Sequence, residues 1–277
     1  MKAMLACSTI PSIGEIKYPV LASPKLDGIR CVAIDGVAYS RTMKKIPNAY
    51  IQRMFKELNL DGLDGELMLD GGFESVASMV MSVTHERSHA FYYNVFDCHN
   101  AVMAPFTARV AEARERVTRY CNPHVRLLPQ LIMQDSIQMT IYLAACLDQG
   151  FEGAIVRDPK GPYKQGRSTM NQGWMLKLKI FKETEATIMG FEELLRNEDT
   201  STNKNENMVP ADTLGALVMA QGDMTFKIGS GFNTQQRDEI WQNKAHYIGK
   251  RVTYKYQELT KYGKPRFPTF KGVRLDE

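Results

Sequence analysis

A chain of 277 residues that is 44% apolar and 24% charged has the composition of a folded globular protein, which excludes wholesale disorder and fibrous repeats and leaves room for one large domain or two ordinary ones. Its net charge of +4, from 35 basic and 31 acidic side chains, selects no partner class by itself. No stretch approaches the ~20 apolar residues of a membrane helix, the N-terminus lacks the apolar run of an export signal, and Cys7, Cys31, Cys98, Cys121 and Cys146 form no C-x-x-C pair, so free thiols in a reducing cytosol are expected.

Period-two alternation predicts strands in YPVLASPK (18–25), in IRCVAID and VAYSR around the Asp35-Gly36 turn, and in DGELML (64–69). Helical periodicity follows in NAYIQRMFKEL (48–58), FESVASMVMSV (73–83), PFTARVAEARERVTRYC (105–121) and DSIQMTIYLAACLDQG (135–150). Strands return as GAIVR (153–157) and WMLKLKI (174–180). This order mixes hairpins with helices and does not alternate strand and helix, which predicts an α+β fold on antiparallel sheets. From about residue 185 short strands dominate, EATIMGFEE, LGALVMAQ, MTFKIGS and KRVTYKYQEL, with one helix over 234–248, a pattern that suits a small Greek-key barrel of the OB type. The expected domains are therefore 1–184 and 185–277, with a polar, mobile insertion near 196–210.

Lys25 stands at the end of a predicted strand, in Lys25-Leu26-Asp27-Gly28-Ile29-Arg30. An amine there could attack phosphorus and form a phosphoramidate. A free lysine amine, with a pKa of ~10.4, is mostly protonated at neutral pH and must first lose a proton, which neighbouring cations favour. Lys177 and Lys179 are two apart, so a strand puts both on one face, where they could grip a phosphate. Glu66 and Glu152 each sit beside a glycine and suit a metal or a ribose. Phe96, next to Asp97, offers an aromatic face for a base. His85 and His89 have helical spacing but no third ligand, so zinc is not expected. Beyond Lys244 basic residues interleave with Tyr254, Tyr256, Tyr262, Phe267 and Phe270, a mixture suited to nucleic acid.

In this order the stretches resemble the motifs of the covalent nucleotidyltransferase superfamily of ligases and capping enzymes. Lys25 to Arg30 is similar to the nucleophile motif, Ser40-Arg41 to the short motif after it, Asp64-Gly65-Glu66 to the third, and 91–97 to its aromatic companion. Glu152 to Val156 is similar to the fourth motif and Trp174 to Lys179 to the fifth. The run from Pro162 to Ser168 resembles ATP-dependent DNA ligases in particular. The resemblance implies an adenylation domain followed by an OB domain, and a cycle in which Lys25 takes AMP from ATP, passes it to a DNA 5′-phosphate, and a 3′-hydroxyl displaces it. It implies Phe96 on adenine, Glu66 on ribose, Glu152 with Glu66 at magnesium or manganese, Lys177 and Lys179 on the α-phosphate, and Asp27 assisting later steps. Arg30 would serve both nucleotide and nick. Arg41, Arg167, Lys255, Lys264 and Arg266 would contact DNA. Residues 266–274 resemble the sixth motif, so Arg274 would orient pyrophosphate; relatives continue Arg-x-Asp-Lys, whereas this chain ends Leu275-Asp276-Glu277, leaving Lys271 or Lys264 to replace the missing cation.

Only 24 residues precede Lys25, too few for the nicotinamide-mononucleotide domain of NAD-dependent relatives, and no four-cysteine zinc site is present, so ATP is expected. A minimal phage or bacterial type without a helical DNA-binding domain, acting as a cytoplasmic monomer on nicked duplex DNA, is the resulting expectation. The alternatives are an RNA ligase, a GTP-dependent capping guanylyltransferase, and a non-catalytic OB nucleic-acid binder.

Overall fold

The computed structural model describes residues 1–198, 208–260 and 262–274. The chain divides into two compact units, Met1–Lys179 and Ile180–Glu277.

The first unit holds two main sheets. One has four antiparallel strands in the order Met175–Lys179, Gly153–Arg157, Val20–Pro24, Leu131–Met133. The other orders Val37–Ser40, Ile29–Ile34, Leu63–Met68, Tyr92–Cys98 and Val125–Leu127, antiparallel except for its last pair. Each sheet buries one face in a core of its own. Cys31, Phe55, Leu63, Leu67, Tyr93 and Val95 belong to the core of the five-stranded sheet, and Val20, Ala22, Met139, Val156, Leu176 and Leu178 to that of the other. The helices Ala49–Glu57 and Ser136–Asp148 start where Asn48 and Asp135 accept hydrogen bonds from free backbone N–H groups of the first turn.

The strands Val125–Leu127 and Leu131–Met133 escape sequence reading because three residues show no periodicity. The helix expected over 73–83 occupies Gly72–Met81, so His85 lies beyond it in irregular chain, while His89 sits in the short 3-10 helix Ser88–Ala90, and the two do not share a helix face.

In the second unit five strands run in the order Met224–Ile228, Met208–Gln221, Lys182–Asn197, Arg251–Tyr256, Thr269–Val273, all neighbours antiparallel. The Phe270 N–H donates to the Ser230 carbonyl at 2.9 Å, and Ser230 bridges Thr269, which joins the two ends of the sheet into a barrel. Ile188, Leu217, Met219, Ile228, Val252 and Tyr254 fill it. The single helix expected over 234–248 is two, Thr234–Gln242 and Lys244–Tyr247, parted at Asn243. Residues 182–184 pair with 256–254, so this strand begins before residue 185. At the ends of the expected insertion, Arg196 and Asn197 pair with Val209 and Met208, and Pro210 with Leu195, so these ends are strand; residues 199–207 lie outside the described residues.

Candidate active site

Alternation on the four-stranded sheet builds the site floor. Val20, Ala22, Ala154, Val156, Leu176 and Leu178 point into the core. The intervening Ser23, Lys25, Ile155, Arg157, Met175, Lys177 and Lys179 therefore share the opposite side, where they line a cavity of about 290 Å³. Arg30, Arg41, Glu66, Phe96 and Arg167 line the same cavity.

Three charged side chains meet at one end of this sheet because of strand register. The Lys25 N–H donates to the Gly153 carbonyl at 2.9 Å, and Lys179 lies opposite Gly153 on the other side. Gly153 has φ of +140°, and a Cβ there would collide with the Leu178 carbonyl, so only glycine follows Glu152 without strain. Glu152 accepts from Lys25 Nζ and from Lys179 Nζ, the latter at 2.9 Å. Burial works to raise the Glu152 carboxyl, but the ammonium of Lys25 and then that of Lys179 hold it down at about 2. Burial and the charge of Lys25 lower Lys179, while burial, Arg167 and Lys179 lower Lys177.

The Asp-Gly pair after Lys25 has a steric reason. A Cβ on Gly28 would strike the Leu67 carbonyl, the Met68 sulfur and Glu66 Cγ, so the chain can cross close to Leu63–Met68 only at glycine. Its N–H also bonds the Glu66 carboxylate. Even so, burial dominates at Glu66 and pushes it up to about 7, against the pull of Arg30 and Lys25.

Arg30 is committed to protein. Its Nε and Nη2 donate to the two oxygens of Asp64, both at 2.6 Å, and its guanidinium lies 4.6 Å from the Phe96 ring centroid. Burial opposes its charge, but Asp64 more than compensates and raises its pKa. Tyr163 adds a 2.6 Å hydrogen bond to Asp64. The arginine expected at the nick is thus, in this structure, the partner of a buried carboxylate and one wall of the cavity.

Sequence reasoning missed a deeper network. Asp97 accepts from Arg109 Nε at 2.8 Å and from Arg157 Nη2 at 2.6 Å, and all three side chains are buried. Burial raises the Asp97 carboxyl, yet Arg157 and Arg109 outweigh it and hold it below the ordinary value. One signal was available for Arg109. It falls three residues after Phe106 and four before Ala113, on the helix stripe that faces inward.

Lysine, paired carboxylate and phosphate-sized cationic wall are what nucleotidyl transfer needs, and comparison with known proteins agrees. Residues 3–179 match the family model described as ATP dependent DNA ligase domain, and residues 207–274 that described as DNA ligase OB-like domain. The DNA ligase of Haemophilus influenzae is 28% identical over 250 residues, 90% of this chain and 84% of that one. The crystal structure of Chlorella virus DNA ligase-adenylate is 34% identical, covers 99% of both chains and superposes with a TM-score of 0.60. A structure from a structure-function analysis of Lig E DNA ligases is 26% identical over 99% of both chains, with a TM-score of 0.75.

The chain belongs to the ATP-dependent DNA ligase family. In this ligase the second unit is the OB-fold domain, and three of its expected cations are paired within it. Arg274 Nε bonds Glu185 at 2.7 Å, Lys271 bonds Glu183 at 2.8 Å, Arg266 bonds Glu258, and Lys255 lies 4.9 Å from the Phe181 ring centroid. Lys264 is exposed. In the adenylation unit Arg41 and Arg167 are exposed, Arg167 donating to the Ala6 carbonyl at 2.7 Å.

The family uses a divalent metal, and the ligase has the hard oxygen donors for one. Carboxylate oxygens of Asp27 and Glu152 lie within 4.8 Å of each other. Glu66, expected as a metal ligand with Glu152, is not within that distance of both. Its raised pKa also makes it the weaker anion. No helix among the described residues is long and apolar enough to cross a membrane.

Proposed function

We propose that this ligase seals nicks with 5′-phosphate and 3′-hydroxyl ends in duplex DNA, acting as a cytoplasmic monomer with magnesium. The observation that carries the reading is the Lys25, Glu152, Lys179 cluster on the cavity floor. Lys25 Nζ, after giving up its proton to solvent, attacks the α-phosphorus of ATP; a P–N bond forms, the bond from the α-phosphorus to the bridging oxygen breaks, and pyrophosphate leaves. Glu152 holds the amine in position, and Lys177 and Lys179, with charges already weakened by burial, face the phosphate oxygens. Phe96 takes the base and Glu66 the ribose hydroxyls. The metal, held by Asp27 and Glu152, would supply charge neutralisation at the phosphates.

In the later steps the AMP passes to the DNA 5′-phosphate, and the 3′-hydroxyl then displaces it. Arg41 and Arg167, exposed at the cavity, offer the cations for the nicked strand, and Lys255, Lys264 and Arg266 offer those of the OB domain. Arg274 is assigned to pyrophosphate. Arg30 acts chiefly through Asp64 and Phe96, shaping the wall against which the base packs.

The test incubates the protein with α-labelled ATP or GTP and magnesium and resolves it on a denaturing gel. ATP label on the wild type and none on Lys25→Ala is expected. Label from GTP instead would point to capping chemistry, and no label would leave a binding module. Faster sealing of nicked RNA than of nicked DNA would overturn the substrate assignment.

A further inference from the structure

The run from Pro162 to Ser168 gives the cavity Arg167, while Tyr163 in the same run is 3% exposed and stands behind the cavity wall. Its hydroxyl is used in both senses. It accepts from the Met4 N–H at 3.2 Å and donates to Asp64 Oδ2 at 2.6 Å. The Met4 N–H can only donate, and Asp64 already takes two donors from Arg30, so the single phenolic proton has one place to go. Burial, and then the charge of Asp64, push the phenol above its ordinary pKa, which keeps that proton on the tyrosine at neutral pH.

Backbone and ring are fixed independently of the hydroxyl. The Tyr163 N–H donates to the Val102 carbonyl at 2.8 Å, and the ring centroid lies 5.9 Å from that of His99 and 5.7 Å from the Arg109 guanidinium. The hydroxyl therefore has a set position, and it joins two segments that reach the cavity. Met4 begins the strand Met4–Leu5, which pairs in parallel with Gly166–Arg167 and brings Leu5 to the cavity lining. Asp64 holds Arg30, whose guanidinium lies over the Phe96 ring. The hydrogen-bond partners of the Asp64 carboxylate are Tyr163 and Arg30, apart from the hydroxyl, its anchor is the arginine that it holds.

We propose that Tyr163 is a positioning residue for the adenylylation of Lys25: its hydroxyl fixes Asp64, and through it Arg30 against Phe96, so that this wall stands formed before the nucleotide enters. Without the hydroxyl, Asp64 and Arg30 can turn together as a pair, and ATP has to order them as it binds. The loss then falls on nucleotide affinity. Bond formation is spared, because neither Tyr163 nor Asp64 lines the cavity around the lysine. The assignment rests on the adenylylation reading above and adds to it a residue that touches neither ATP nor Lys25.

The experiment measures single-turnover labelling of Lys25 in the full chain with α-labelled ATP and magnesium, for the wild type, Tyr163→Phe, Arg30→Gln and the double variant. Tyr163→Phe is expected to raise the half-saturating ATP concentration by about tenfold and to leave the rate at saturation within about twofold. In the Arg30→Gln background the same change should move half-saturation by less than about twofold, because the group through which Tyr163 acts is gone. A merely structural tyrosine would lower stability without this split and without this coupling. A folded Tyr163→Phe with the wild-type half-saturation, or an effect undiminished in Arg30→Gln, overturns the proposal. Circular dichroism checks folding. If Tyr163→Phe does not fold, Asp64→Asn weakens the same link at its middle and decides it: raised half-saturation at a kept rate supports the proposal, and wild-type half-saturation overturns it. Absence of label on the wild type would instead bring down the adenylylation reading itself.

Discussion

Glu66 links the site's chemistry to the stability of the fold. Its carboxyl rises from an ordinary 4.5 to about 7, mainly through burial, so keeping it charged costs the folded state. At ~1.4 kcal/mol for each tenfold change in proton affinity, the rise corresponds to about 3 kcal/mol. The folded-state value lies above the unfolded one. The benefit of the neutral acid is therefore fully present below pH 4.5 and is lost as pH rises through 7. Glu66→Gln removes the titration. Its stability relative to wild type should thus improve by about 3 kcal/mol between pH 4 and pH 8.5, or roughly 5 °C in Tm for a protein of 277 residues. The assay is thermal unfolding of both proteins across that range, followed by circular dichroism. In the proposed site the same substitution should also weaken ATP in the labelling reaction, because an amide offers the ribose one acceptor oxygen where the carboxyl group offers two. A Tm difference that stays constant with pH would refute the reasoning, since it would mean that Glu66 does not carry a buried charge.

Three further outcomes are expected. Glu152→Gln removes the anion shared by Lys25 and Lys179 and should slow Lys25 labelling by about 10²-fold or more in single-turnover measurements. Asp97→Asn leaves Arg109 and Arg157 without their buried counter-charge and should cost about 3–5 kcal/mol, read as a lower urea midpoint at unchanged slope. Since the folded Asp97 has a lowered pKa, its contribution in the wild type should be present above pH 3.8 and vanish as acid protonates the folded carboxylate. Gly28→Ala drives a Cβ into the strand Leu63–Met68 and should cost about 1–3 kcal/mol, with labelling of Lys25 reduced in parallel.

Local pattern carried the site as far as residue types and strand ends. Lys25, Glu152 and Lys179 were legible because each sits beside a glycine or in a short alternating strand, and alternation alone put Lys177 and Lys179 on one face. What alternation could not supply was partnership. Arg30 reads as a free cation in sequence, and becomes the bidentate partner of Asp64 only because Leu63–Met68 pairs beside Ile29–Ile34. Gln130 reads as a loop residue, since the strand it introduces is too short to leave a period. The ends of the supposed insertion read as polar loop, and are strand because Arg196 and Asn197 find Val209 and Met208 across the ladder.

By itself the sequence determined the α+β class, the barrel that follows, the order of the motifs and the lysine proposed to carry the chemistry, because hydrophobic period and turn residues act over a few positions along the chain. Only the tertiary structure decided which charges neutralise one another. Glu152 meets Lys25 from 127 residues away, and Asp97, on one sheet, holds together Arg109 from a helix and Arg157 from the other sheet. A charge becomes useful or merely structural according to what burial brings within a few ångströms of it, and that distance is set by strand register and packing, which no local window of residues contains.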